Sequence, residues 1–352
     1  MRHAITIVAV GLATMLNGGP PCAAAQQWVV PRTPDGHPDL QGNWSNATLT
    51  PFERARGYGP VFTPVQVDSV EGREAGRVER GLAPSDADRE PPRPGNVGGY
   101  NEIYFDRGDR VAIVDGEPRT SLITYPADGR IPALSPEGAE RKRASEDFRA
   151  RFGAYDHPEL RPLAERCIIY YGSSPTGVLG SPMTPTSGYN NNFTIIQNAD
   201  HVVLRAEMIN DVRIVRLGEP GTGANARMRL PSHIRPWFGD SWGRWAGDTL
   251  VVETTNIHPS QTIGDFDDKI LHSEDLVLTE RFVRVDEETI LYEFHMDDPR
   301  TYTEPWGGQV PFRKFADRIY EYGCHEGNYA LGGILSGARY QERAATPGDG
   351  GR

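Results

Sequence analysis

From residue 193 onward the chain is built from short aliphatic and aromatic runs that are separated by polar or acidic turns. Four pairs of runs flank such turns, at 193–197 with 201–207, 239–246 with 249–256, 276–285 with 289–296, and 310–315 with 318–322. A further run covers 212–216. Short apolar runs bounded by turn residues are typical of β-strands. The pattern therefore predicts four β-hairpins and one additional strand.

Eight or nine strands that follow one another in sequence favour an antiparallel up-and-down meander. Closure of such a sheet removes its exposed edges, and a barrel of about eight strands can hold one small ligand. We therefore predict a mainly β fold, with an antiparallel barrel of the lipocalin or calycin type over residues 165–342. Residues 343–352 are expected to form a disordered tail.

The segment 26–164 is expected to wrap the barrel with two helices and short strands. Thr63-Pro64 and Ser135-Pro136 each combine a capping side chain with a proline at the first helical position. We expect the helices to end near Arg80 and Phe152. The short strands are expected at 100–105 and 119–125.

Gly42-x-Trp44 is the pattern that opens the first strand of lipocalin-like barrels. The predicted barrel strands begin far downstream of it. We therefore interpret Trp44 as an anchor that holds an extended arm to the protein surface.

Residues 1–25 have the features of a secretory signal peptide. Arg2 provides a basic start, residues 4–16 are apolar, and Ala23-Ala24-Ala25 fits the small-residue preference of a cleavage site after Ala25. The apolar stretch is too short to span a bilayer with margin. Lipidation at Cys22 is an open alternative. Export to the periplasm or the medium is the expectation.

Cleavage after Ala25 leaves two cysteines, Cys167 and Cys324. In an oxidising compartment a pair of cysteines indicates a disulfide. We expect the bond to join the start of the barrel to its last strand. Two separate buried thiols are the alternative.

The net charge of −11 argues against nucleic acids and anionic membrane surfaces as partners. The three lysines, Lys142, Lys269 and Lys314, lie among polar neighbours. A lysine that forms imines needs a desolvated pocket, so this chemistry is not expected. The expected partner is a small molecule, and the oligomeric state is left open.

Three segments carry a resemblance: 31–42 (PRTPDGHPDLQG), 239–256 (GDSWGRWAGDTLVVETTN) and 322–328 (YGCHEGN). With them the chain resembles a family of uncharacterised secreted bacterial proteins over nearly its whole mature length. The resemblance implies export and one shared architecture. It implies no particular reaction and assigns no catalytic residue.

Glu253, Glu293 and His295 are the candidates for acid–base catalysis, since carboxylates beside a histidine can transfer protons. Strand alternation places each of them opposite an apolar set. If the apolar faces point into the barrel, these three side chains point to solvent, and this is the orientation we favour. If the cavity is polar, they line it.

Candidate ligand-binding residues are aromatic or polar and lie near strand ends or in loops. They are Tyr189, Asn192, His233, Trp237, Trp242, Arg244, Trp306 and His325. Residues 239–243 match G-x-S-x-G, but a loop precedes the serine and a strand follows it, so the strand–helix context of a nucleophile elbow is missing. No zinc spacing is present, and the acidic cluster at 265–268 lacks the downstream glutamate of a calcium loop. We expect no metal and no cofactor.

Two functions are consistent with these features. The first is an exported barrel that binds a small organic molecule, sugar-like or aromatic. The alternative is a cofactor-independent lyase, hydratase or hydrolase that uses glutamate and histidine in the barrel cavity. A cavity lined by Leu250, Val252, Tyr292 and Phe294 favours binding, whereas a polar lining favours the enzyme. An interior filled by side chains favours a structural role.

Overall fold

The structure is a computed structural model that describes residues 28–84, 88, 90, 105–170, 183, 188–189, 191–222, 228–263, 270–325 and 327–345. The predicted signal segment with Cys22 lies outside the described residues. The same holds for most of the predicted strand at 100–105, for the acidic cluster at 265–268 and for residues 346–352.

In chain order the described residues form β1 (Gly42–Ser45), α1 (Pro64–Leu82), β2 (Ile113–Val114), β3 (Glu117–Pro118), β4 (Ile123–Tyr125), α2 (Pro136–Ala150), β5 (Asn192–Gln197), β6 (His201–Ala206), β7 (Val212–Leu217), β8 (Asp240–Ala246), β9 (Thr249–Thr255), β10 (Thr262–Ile263), β11 (Ile270–Leu271), β12 (Val277–Arg284), β13 (Thr289–Asp297), β14 (Trp306–Lys314) and α3 (Tyr329–Ala345). Short 3-10 helices lie at Pro158–Leu160 and Met208–Asn210.

Nine strands close into a barrel in the order β1-β5-β6-β7-β8-β9-β12-β13-β14, and β14 pairs back onto β1. The predicted mainly β barrel is thus confirmed. The prediction of a purely antiparallel meander is wrong, because β7 and β8 are parallel. The long connection 218–239 returns the chain to the end of the barrel where β7 began, as a parallel pair requires.

β1 closes the barrel by pairing with both β5 and β14. Trp44 on this strand is 1% exposed, and its indole N–H donates to the Leu40 carbonyl at 3.0 Å. The interpretation of Trp44 as a surface anchor is therefore wrong, and the barrel does not begin near residue 165. A strand of four residues is too short to show alternation, and its partners are distant in sequence.

The predicted hairpin at 310–322 is also wrong. Residues 318–322 form no strand, and Tyr320 is 74% exposed. Both edges of β14 are occupied, by β13 on one side and by β1 and β4 on the other. Residues Tyr329–Ala345 instead form α3, where the end of the barrel and the first residues of a disordered tail were expected. Gly332, Gly333 and Gly337 weaken the helical signal of this segment.

Several other local predictions are confirmed. Thr63 and Gln66 form a reciprocal capping box at the start of α1. Ser135 caps α2 by accepting the Gly138 N–H at 3.0 Å. The hairpins β5–β6, β8–β9 and β12–β13 form as expected, and β4 occupies the last three residues of the strand predicted at 119–125.

Strand direction defines two rims of the barrel. At the first rim β5, β7, β8, β12 and β14 begin; at the second rim these strands end. The arm at residues 31–41 covers the second rim. Leu40 is fully buried there, the Gln197 side chain bonds both the Leu40 N–H and the Pro38 carbonyl, and Arg284 donates to the Asp39 carbonyl. The arm therefore closes this rim of the barrel.

Candidate functional site

A buried ion pair crosses the interior of the barrel. Arg213 on β7 and Glu280 on β12 are held 2.8 Å apart, from Nη2 to Oε1, although β8 and β9 separate their strands in the sheet. Tyr292 on β13 donates its hydroxyl to the same Oε1 at 2.8 Å. All three side chains are almost completely buried. We call Arg213, Glu280 and Tyr292 the interior trio.

Aromatic rings pack against Tyr292 of the interior trio. Tyr292 stacks on Phe312 with ring centroids 4.9 Å apart and contacts Phe282 at 5.1 Å. The backbone N–H of Met183 donates to the Tyr292 hydroxyl at 3.0 Å. Burial raises the pKa of Tyr292 well above its usual value, and the nearby negative charge of Glu280 adds to this effect. The phenol is therefore a permanent donor.

The interior trio does not satisfy its own hydrogen-bonding capacity. Within the described part of the chain, Nε and Nη1 of Arg213 and Oε2 of Glu280 have no hydrogen-bond partner. A buried polar group without a partner costs about 1–3 kcal/mol, and a charged group costs more. Two donors and one acceptor of this buried group are thus left without a partner among the described residues.

A second polar group lies at the first rim. Asn192, at the start of β5, directs its side-chain amide toward Glu207, with 3.5 Å from Nδ2 to Oε2. Burial raises the pKa of Glu207, and the nearby Asp106 raises it further. Asn46, just after β1, is fully buried, and its side-chain amide has no partner among the described residues. This rim is therefore rich in polar groups that are shielded from water.

Asp211 precedes β7 at the same rim and accepts the Tyr170 N–H at 2.9 Å. Burial raises its pKa from 3.8 to about 7, while the Tyr170 bond opposes the shift. Between these values the folded protein keeps a proton that the unfolded chain releases. Stability from this group is therefore complete below about pH 4 and is lost as the pH rises through about 7.

We expect Asp211→Asn to gain stability relative to the natural protein as the pH rises from about 4 to 7, by on the order of 3 kcal/mol. The amide keeps the acceptor for Tyr170 and removes the buried charge. Urea unfolding at several pH values measures the difference. Asp200→Asn, at an exposed turn, is the matched control and should show no such trend. A pH-independent difference for Asp211→Asn would contradict the assignment.

The three predicted acid–base residues lie on the outer wall, in the orientation that alternation favoured. Glu253 pairs with Arg229 at 2.5 Å and its side chain is 51% exposed. Glu293 accepts from the Gln309 side chain at 2.6 Å. His295 is exposed. The apolar faces of the same strands pack together in the interior instead, and Leu250, Val252, Tyr292 and Phe294 all belong to this buried core.

The predicted ligand-binding residues are not gathered into one pocket. Trp306 is fully buried, with its ring 5.7 Å from that of Tyr302. Asn192 is buried at the start of β5. Tyr189 contacts the Phe105 ring at 4.4 Å. All three lie at the first rim, because Asn192 and Trp306 begin β5 and β14 and Tyr189 shortly precedes β5.

The remaining predicted residues lie on the outside. Trp237 stacks on His258 at 3.9 Å. Trp242 is on the outer face of β8 and donates to Asp240 at 3.3 Å. His233, Arg244 and His325 are exposed, and Arg244 is 4.0 Å from Glu219. They share no cavity with the interior trio.

Ser241, the serine of the G-x-S-x-G segment, is buried and bonds to Thr254 at 2.8 Å between the hydroxyl oxygens. This contact ties β8 to β9 and fits a structural role. In the described ranges, no group of three or more histidine, cysteine, aspartate or glutamate side chains is placed to hold a metal ion.

The disulfide Cys167–Cys324 is present, with 2.01 Å between the sulfur atoms. It joins the segment before Tyr170 to the segment between β14 and α3, and not to the last strand as expected. Nearby, the Asn210 side chain donates to the Tyr322 carbonyl at 3.2 Å, which holds the same segment to the first rim. Within the described chain, none of the helices has the length and hydrophobicity needed to cross a bilayer.

Arg213 and Glu280 are not among the site residues predicted from the sequence. The strand alternation does indicate them, because each lies on the same strand face as buried apolar residues. Arg213 shares a face with Val215, and Glu280 shares one with Leu278 and Phe282. A charged residue in the inward phase of a strand indicates a buried polar site.

The fold and the site define a closed, mixed nine-stranded barrel with an ion pair across its interior. No protein-family profile, no curated protein and no solved structure matches this chain.

Proposed function

We propose that the protein is an exported barrel that binds one small organic molecule in its interior, at Arg213 and Glu280. The observation that carries this proposal is the interior trio itself. Three of its polar atoms lack partners among the described residues, and the aromatic rings of Phe282 and Phe312 pack against Tyr292. A mostly apolar site with a few convergent polar groups is the usual form of a small-molecule site.

The chemistry of the free atoms limits the ligand. Arg213 offers N–H donors and Glu280 offers an acceptor, so the ligand's polar group must both accept and donate. A hydroxyl or a primary amide does both. The rings of Tyr292, Phe282 and Phe312 favour an aromatic body, because aromatic pairs gain energy beyond their buried area. We therefore propose a small aromatic alcohol, phenol or amide.

Binding is favoured over catalysis by the direction of the strand faces. The alternative enzyme would use Glu253, Glu293 and His295 within the cavity, and these side chains point away from the interior. The ligand would enter at the first rim, because the arm at 31–41 covers the second. Export is supported by the signal-like residues 1–25 and by the disulfide, which suits an oxidising compartment.

Phenol and benzamide are the probes for this site. We expect both to bind the full chain in calorimetry and to raise its melting temperature, since a ligand at ~100 times its Kd stabilises by about 2.7 kcal/mol. Toluene, which has the ring without the polar group, should bind at least about tenfold more weakly, a difference of about 1.4 kcal/mol.

The variant Arg213→Met with Glu280→Leu should lose this preference for phenol over toluene. Arg229→Met, which removes an exposed partner of Glu253, is the matched control and should bind phenol normally. Equal phenol affinity in the double variant and the natural protein would contradict an interior site.

A further inference from the structure

The outer wall of the barrel carries a groove of about 190 Å³ that is separate from the interior trio. It lies across β12, β13, β14 and the added strand β4. The side chains that matter for its chemistry are Tyr125, Arg281, Glu293, His295 and Gln309, and the floor includes Gly307 and Gly308.

Close backbone packing explains the two glycines of the floor. The register between β14 and β4 shifts between Gly307 and Gly308. A Cβ on Gly307 would lie 2.2 Å from the Phe294 carbonyl oxygen, and one on Gly308 would lie 2.2 Å from the Leu122 carbonyl oxygen. Neither position can carry a side chain, so the groove has a bare peptide floor.

Rings flank this floor. Gly307 pairs with His295 on one side and with Tyr125 on the other. The ring centroids of Tyr125 and His295 are 6.1 Å apart and their planes differ by 34°. Tyr125 is 48% exposed, which is high for an aromatic residue on a strand. The groove therefore offers an accessible aromatic surface.

Fixed polar groups occupy the adjacent row. Arg281, Glu293 and Gln309 lie side by side on β12, β13 and β14. Gln309 donates to Glu293 Oε1 at 2.6 Å, and the Arg281 Nε atom lies 3.6 Å from Oε2. These contacts hold the Glu293 carboxylate in one orientation and leave further donors on Arg281, which is half exposed.

We propose that this groove binds a neutral saccharide unit. An exposed ring can pack against the apolar face of a sugar, while a carboxylate, an amide and a guanidinium can bond its hydroxyl groups. The Glu293 carboxylate and the net charge of −11 oppose an anionic ligand. Arg281 opposes a cationic one. A neutral, hydroxyl-rich ligand is compatible with both the Glu293 carboxylate and the Arg281 guanidinium, because a hydroxyl group can donate to the first and accept from the second.

Saturation-transfer NMR on the full chain tests the proposal with glucose, N-acetylglucosamine and their β-1,4-linked disaccharides, and with glucuronate as the anionic comparison. We expect at least one neutral sugar to bind and glucuronate to bind more weakly. Tyr125→Ala should reduce the affinity for the neutral sugar at least tenfold, and Glu293→Gln should reduce it severalfold. Tyr320→Ala, at an exposed tyrosine outside the groove, should change nothing.

Absence of binding by every neutral sugar up to roughly 10 mM would overturn the proposal, as would unchanged affinity in a folded Tyr125→Ala variant. Melting temperatures establish that each variant is folded. The variant Arg213→Met with Glu280→Leu should bind sugar normally, so that failure of the groove and failure of the interior site are distinguishable.

Discussion

Arg213→Met alone is expected to lower the free energy of unfolding by about 3–5 kcal/mol, because it leaves the Glu280 carboxylate buried without its counterion. Glu280 is fully buried, and its Oε2 atom has no partner among the described residues. Among the described residues, the Tyr292 hydroxyl would remain its one compensating donor. Equilibrium unfolding in urea, with the slope m held in common, measures the change.

The combined variant Arg213→Met, Glu280→Leu and Tyr292→Phe separates a charge effect from a packing effect. Apolar groups of similar volume often replace a buried ion pair with little loss or with a gain of about 1–4 kcal/mol. Replacing Tyr292 as well avoids a hydroxyl without an acceptor. We expect this variant to be at least as stable as the natural protein. A loss as large as that of Arg213→Met would instead show that side-chain shape dominates.

These two outcomes bear on function. If apolar residues can fill the barrel without loss of stability, then folding does not require the ion pair. The ion pair would then be retained for another purpose, and the binding of a polar ligand group is the purpose we propose.

Replacing both Cys167 and Cys324 by serine is expected to lower the free energy of unfolding by about 3–5 kcal/mol. The bond closes a loop with a sequence separation of 157 residues. Loop-closure entropy in the unfolded chain gives about 5 kcal/mol for a loop of this size, and native disulfides typically contribute about 2–5 kcal/mol. Urea unfolding of the natural protein and the variant measures the loss.

A reductant provides the control for this prediction. It should destabilise the natural protein to the level of the double serine variant and should leave that variant unchanged. Equal unfolding midpoints for the oxidised and reduced natural protein would mean that the link does not restrict the unfolded chain.

Much of the barrel could be predicted because its information is local. The hairpins β5–β6, β8–β9 and β12–β13 each pair strands that are separated by only a few residues. Thr63 and Ser135 define the starts of α1 and α2 through contacts within one helical turn. The cysteine pairing needed only the number of cysteines that remain after the expected cleavage.

The sequence by itself determined these local units: the three hairpins, the two capped helices, the disulfide pair and the alternation that places Glu253 on the strand face opposite Leu250 and Val252. Tertiary structure decided how the units close. β1 and the parallel β7–β8 pair depend on partners far away in the chain or on a long crossover, and local pattern does not encode such pairings. The interior trio and the groove across β12, β13, β14 and β4 arise only when separate strands meet, since alternation assigns a residue to a face but does not identify its neighbours across the barrel.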